Sequence, residues 1–153
     1  MRAAFFTLFI VALLLIVSAP VVASEKRDLN PAKLQSVHKV YVGEMGTTDE
    51  AARFRMLLAQ ELSKKGFIVV DQAQNADAIL TGILTVRVYA DTSIARATVQ
   101  LKSANGEILW AGDFQPKRTF KSVSDTVKFR AQNVADALRG DYQKAAKATN
   151  AKR

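Results

Sequence analysis

The stretch LLAQELSKKGFIVVD, residues 57–71, holds the end of a helix, a one-glycine stop and the start of a strand. Leu58 and Leu62 continue a stripe begun by Ala51 and Phe54, the spacing of one apolar face of an α-helix. Lys64 and Lys65 occupy the last turn, where cations complement the helix dipole, and Gly66 supplies the left-handed position beyond the C-cap. Phe67 can then fold back on Leu62. At the other end Thr47 is the expected N-cap, with Glu50 at N3 closing a capping box and Asp49 favourable in the first turn, so the helix is placed at about 48–65.

A strand on each side makes this helix a crossover. VHKVYVG, 37–43, has apolar groups on both faces, as a buried strand does, and FIVVD, 67–71, follows the glycine directly. Two strands joined through one helix are expected to lie parallel. Beyond QAQNAD comes AILTGILTVRVYA, 78–90, with Leu80, Leu84, Val86 and Val88 on one face and Thr81, Thr85 and Arg87 on the other, the pattern of a sheet covered on one side. Asp77 stands in the turn before this strand, where its carboxylate can accept from backbone amides. Gly82 falls on the apolar face, where a missing side chain admits a close neighbour or marks a bulge.

IARATVQLKS, 94–103, alternates in the same way, and Asn105-Gly106 turns it into EILWAGDF, 107–114, because both central residues of such a hairpin need positive φ. Ser122, with Asp125 three residues on, starts a second helix whose apolar stripe runs through Val123, Val127, Ala131, Val134, Leu138 and Tyr142. Gly140 should weaken its last turns. The order β-α-β-β-β-β-α predicts an α/β (α+β) two-layer sandwich, a mixed sheet of about five strands with two helices packed on one face. The chain is divided into a signal peptide, 1–23; a polar lead-in, 24–36; one domain, 37–147; and a basic disordered tail, 148–153.

AFFTLFIVALLLIVSAPVVAS, 4–24, follows Arg2 and contains no charge. Its densest part, Phe5 to Val17, is shorter than a spanning helix, and Ser18 and Pro20 break it before the small residue Ala23, so it reads as a secretory signal rather than an uncleaved anchor. Cysteine is absent, so stability rests on the core alone, which fits a bacterial envelope, periplasmic or secreted. Residues 24–114 hold 11 bases and 11 acids, whereas 115–153 hold 10 bases against Asp125, Asp136 and Asp141. Such asymmetry suggests an anionic partner or, equally, a solvated helix and tail.

Catalytic constellations are missing. His38 is the single histidine and has no nucleophile motif beside it, and no nucleotide-binding or zinc-protease motif occurs, so no enzyme activity, cofactor or metal is expected. VYVGEMGTT, 40–48, resembles a phosphate cradle only superficially, since it lacks a lysine and Asp49 and Glu50 would repel phosphate. Trp110, on one face with Phe114, is read as core rather than as a stacking platform. The partner-binding candidates are Lys117, Arg118, Lys121, Lys128, Arg130 and Arg139, with Lys128 and Arg139 three turns apart on one stripe opposite the apolar face. For an exported chain the matching partners are an anionic lipid, an anionic polymer or an acidic protein surface, and not nucleic acid.

VHKVYVGEMG (37–46), LLAQELSKKGFIVVD, ADAILTGIL (76–84), TVQLKSANGEILWAGDF (98–114) and the closing amphipathic helix together resemble envelope α/β domains of the TolB amino-terminal and CsgG-like curli-assembly type. The resemblance covers about 37–140 and implies a non-catalytic module that docks onto other envelope components. The chain departs from that pattern in lacking a lipid-anchor cysteine, the TolB propeller and a pore-forming insertion.

Overall fold

The computed structural model describes residues 27–151, and the expected signal peptide lies outside them. The elements are β1 (Arg27–Leu29), α1 (Pro31–Leu34), β2 (Lys39–Val42), α2 (Asp49–Lys64), β3 (Ile68–Val70), β4 (Ala78–Val88), β5 (Ser93–Ser103), β6 (Ile108–Phe114) and α3 (Val123–Asn150). Among the described residues six strands make one sheet, in the order β1-β6-β5-β4-β2-β3. β2 pairs parallel with both β3 and β4, while β4, β5, β6 and β1 are successively antiparallel. The expected two-layer sandwich is present, with α2 and α3 side by side on one face.

The stop after α2 forms as its residues dictate. Gly66 has φ +89, its amide donates to the Ser63 carbonyl, and the Phe67 amide donates to the Leu62 carbonyl at 3.1 Å. This pair of bonds is a Schellman motif, and Phe67 and Leu62 are both buried beneath it. The start of the helix differs by one residue from the expected cap at Thr47. Thr48 is the extended residue, its hydroxyl accepts from the Ala51 amide at 3.2 Å, and Asp49 and Glu50 fill the first turn. Glu50 therefore falls at N2, one position short of a capping box.

Both helices bury the stripes read from the sequence, Phe54, Leu58 and Leu62 from α2 and Val127, Val134 and Leu138 from α3, against Val40, Leu80, Leu101 and Trp110 of the sheet. Each such side chain contributes about 1.5–3 kcal/mol of transfer free energy. Gly82 admits a neighbouring strand: a Cβ there would stand 2.3 Å from the Thr98 carbonyl oxygen of β5. The bulge lies elsewhere, between Leu101 and Lys102. Past the end of β2 the loop 43–46 prolongs the ladder, with the Gly82 and Leu84 amides donating to the Glu44 and Met45 carbonyls.

Two terminal segments differ from expectation. The polar lead-in, 24–36, contains β1, which pairs with Trp110–Gly112, and α1, whose Leu34 is fully buried. The tail expected to be disordered from 148 instead continues α3 to Asn150, through Gly140, whose Cβ position meets open space. The two segments hold each other. Gln35 donates to Thr149 Oγ1 and, at 3.0 Å, to the Ala145 carbonyl, and Tyr142 Oη donates to the Gln35 carbonyl at 3.1 Å. No helix of the described residues is long and apolar enough to cross a membrane.

Candidate functional site

The six basic candidates do not form one surface. Lys117, Arg118 and Lys121 are exposed on the loop between β6 and α3, and Lys128 is exposed on α3. Arg130 points inward and is buried. Its Nη2 donates to the carbonyls of Ala95 at 2.6 Å and Gln115 at 3.0 Å, so it braces the fold and leaves the proposed binding set. Arg139 lies about 16 Å along the helix from Lys128 at 1.5 Å per residue. It is half-buried, its guanidinium 5.5 Å from the Tyr142 ring centre and 6.0 Å from that of Phe67, and so does not stand opposite the apolar face.

The loop that carries the first three bases is firmly framed. Arg130 fixes its start at Gln115. Ser93 and Phe120 exchange backbone hydrogen bonds of 2.6 and 3.0 Å, which ties its end to the start of β5. Ser93 Oγ also bonds Thr126 Oγ1 at 2.6 Å in the buried interior, and Ser122 caps α3 by accepting from the Asp125 amide. Arg118 lies over the Phe129 ring, which packs on Phe120 at 5.0 Å. These contacts place the loop beside the β4–β5 turn.

Two bases the sequence reading passed over, Arg87 and Arg96, stand at the same end of the sheet. Both lie on the face away from the helices, where alternation with Val86, Val88, Ala95 and Ala97 puts them, and together with Thr85, Ile94, Gln115 and Pro116 they line a recess of about 230 Å³. Arg96 is bidentate to Asp113 at 2.8 and 3.1 Å. That guanidinium holds the Asp113 carboxyl below its ordinary value, helped by donation from Thr98 Oγ1 and Gln115 Nε2. Among the described residues no helix covers the rest of this outer face, and Ile83 at its middle is 64% exposed.

Elsewhere the chemistry is structural. Trp110 is fully buried and its Nε1 donates to Asp141 Oδ2 at 3.1 Å, so it is core. His38 is exposed at the start of β2, and its amide and that of Lys39 donate to Asp77 Oδ2 at 2.8 and 2.7 Å. The Lys39 and His38 amides hold the Asp77 carboxyl below its ordinary value. Beside α2 the loop 43–47 borders a groove of about 560 Å³ that contains Glu44, Asp71 and Arg55, the last donating to the Val42 carbonyl at 2.9 Å and to Tyr41 Oη at 3.2 Å. Two acids with one engaged arginine do not make a phosphate cradle. Among the described residues no group of three or more His, Asp or Glu is placed to hold a metal ion.

No protein-family model matches the chain, and no curated protein matches it in sequence. Solved structures do resemble it. The dodecamer of a PelC variant from Paraburkholderia phytofirmans matches with a TM-score of 0.57 at 18% identity, over 76% of this chain and 96% of that one. A DUF4136 family protein from Bacteroides thetaiotaomicron aligns at 9% identity with a TM-score of 0.48, over 77% and 96% of the two chains. The first likeness establishes a shared α/β fold and does not single out the TolB or curli-assembly type.

Proposed function

We propose that the chain is an exported, non-catalytic envelope module that binds another protein in cell-envelope assembly or maintenance. The observation that carries this reading is the uncovered outer face of a six-stranded sheet, with Ile83 exposed among polar neighbours. A sheet face of that size, with no covering helix among the described residues, is suited to docking. The apolar run at 4–24 supports export. The structural neighbour PelC is a dodecamer, so a further copy of this chain is one partner the face can take. Photo-crosslinking from position 83 in intact cells should trap a discrete protein adduct. Recovery of the uncrosslinked chain alone at every expression level would overturn the reading.

A second reading, direct binding of an anionic lipid or polymer, is favoured by one observation. Lys117, Arg118 and Lys121 stand exposed together on a braced loop. Binding of this kind weakens as salt rises.

A further inference from the structure

We propose that the β4–β5 turn and the loop beside it form a docking surface for an anionic lipid bilayer. This rests on the second reading above, narrows its ligand to a membrane and adds an inserting tip. Val88 and Tyr89, at the turn, are 68% and 51% exposed. Neither contributes to the core, and the turn closes instead through the Tyr89 and Thr92 backbones. Around them stand bases. Arg87 precedes Val88 and lies across from Ile94, and Lys121 follows Phe120, whose backbone is bonded to Ser93 directly opposite Val88. Lys117 and Arg118, with Ile94, Pro116 and Thr119, line a shallow recess of about 540 Å³ next to them.

Asp91 in the turn and Asp125 in the first turn of α3 are set against Arg87, Lys117, Arg118 and Lys121, so this end of the molecule carries a net positive charge. A basic loop alone is a solvated face, and an exposed valine and tyrosine alone are unremarkable. Together at one end they match the two layers of a membrane interface, in which apolar and aromatic groups enter the headgroup region and bases meet anionic headgroups.

β1 runs antiparallel to β6 with Arg27 opposite Gly112 and Leu29 opposite Trp110. Followed back from Leu29 to Arg27, the chain heads toward Phe114, the end of the sheet where the basic loop and the β4–β5 turn stand. The first described residue, Arg27, thus stands toward this end of the sheet and away from the β5–β6 turn. The Arg130 brace and the Ser93–Phe120 bridge fix the loop before any ligand arrives, which removes an ordering cost on binding.

The test uses the full chain carrying Tyr89→Trp, with vesicles of phosphatidylcholine alone or mixed with phosphatidylglycerol. Trp110 is buried and serves as a constant background. The difference between the two vesicle types reports the charge-dependent contribution of the tip and loop. The introduced indole should shift to the blue with the anionic vesicles and return at high salt. Combined Lys117→Glu, Arg118→Glu and Lys121→Glu, checked for an unchanged melting transition, should weaken that binding roughly tenfold or more. Val88→Ser should reduce the shift without altering the fold. Equal shifts with both vesicles, or a shift indifferent to charge reversal, would overturn the proposal. Charge-dependent sedimentation with anionic vesicles and no emission change would overturn the tip while sparing the second reading. Sedimentation no greater than with neutral vesicles would end both.

Discussion

Gly82 and Asp77 are single residues that fix how β4 joins the sheet. A Cβ at Gly82 would meet the Thr98 carbonyl oxygen at 2.3 Å and Val99 Cγ1 at 2.8 Å, and backbone cannot swing aside as a side-chain end can. Gly82→Ala should therefore destabilise the fold by about 1–3 kcal/mol, and Gly82→Val by more, read from denaturant midpoints. An unchanged midpoint would mean that β4 and β5 separate at no cost. The sequence placed Gly82 on the core-facing side and left open what approached it; alternation gives a face but not the distance to a neighbouring strand. Asp77 was legible as an acceptor for backbone amides, yet its donors, His38 and Lys39, lie 39 and 38 residues back, beyond any local turn rule. Asp77→Ala should cost about 1 kcal/mol, as loss of an N-cap does. Because those amides lower the folded-state pKa, the contribution is complete above the ordinary value of 3.8 and disappears as pH falls through the folded value. The stability gap between parent and Asp77→Ala should accordingly be constant near neutrality and close in acid.

At the level of elements, the helix ends were readable because caps are local, and the errors follow from what is not local. Thr47 and Thr48 are chemically equivalent caps, and only the loop geometry after β2 chooses between them. β1 and α1 were missed because three paired residues and one buried leucine leave no periodicity to detect. β1 is ordered by pairing with β6, and α1 by α3, whose end Gln35 ties down in turn through Thr149 and Tyr142. Arg130 was misplaced for a related reason: position 130 falls beside the apolar stripe, but its role depends on the Ala95 and Gln115 carbonyls it reaches. Arg130→Met keeps the apolar stem and strands those carbonyls, so it should destabilise the chain by about 2 kcal/mol. Lys128→Met, on the exposed side of the same helix, should change stability by less than about 0.5 kcal/mol. Paired urea titrations decide the matter, and equal midpoints for the two variants would contradict a bracing role for Arg130.

The described residues present two surfaces of different character, a side closed by α2 and α3 and an open sheet face. The fold class was legible because the helix stripes and strand alternation agree on which side is covered. The site was not, since the cationic end is assembled from Arg87 on β4 and from the loop 117–121, brought together through the Ser93–Phe120 bridge. Such a bridge leaves no mark in sequence spacing. The open face makes its own prediction. Ile83 is exposed and contributes nothing to the core, so Ile83→Glu should shift stability by no more than about 1 kcal/mol, the span of strand propensity. If that face docks a protein, the same substitution places a charge where apolar surface must lose water, a cost of several kcal/mol unless it is paired. A crosslinker moved to a neighbouring outer position, Thr85, should then yield its adduct in the parent and lose it in Ile83→Glu, with the melting transition unchanged. Retention of the adduct would place the docking contact elsewhere on the molecule.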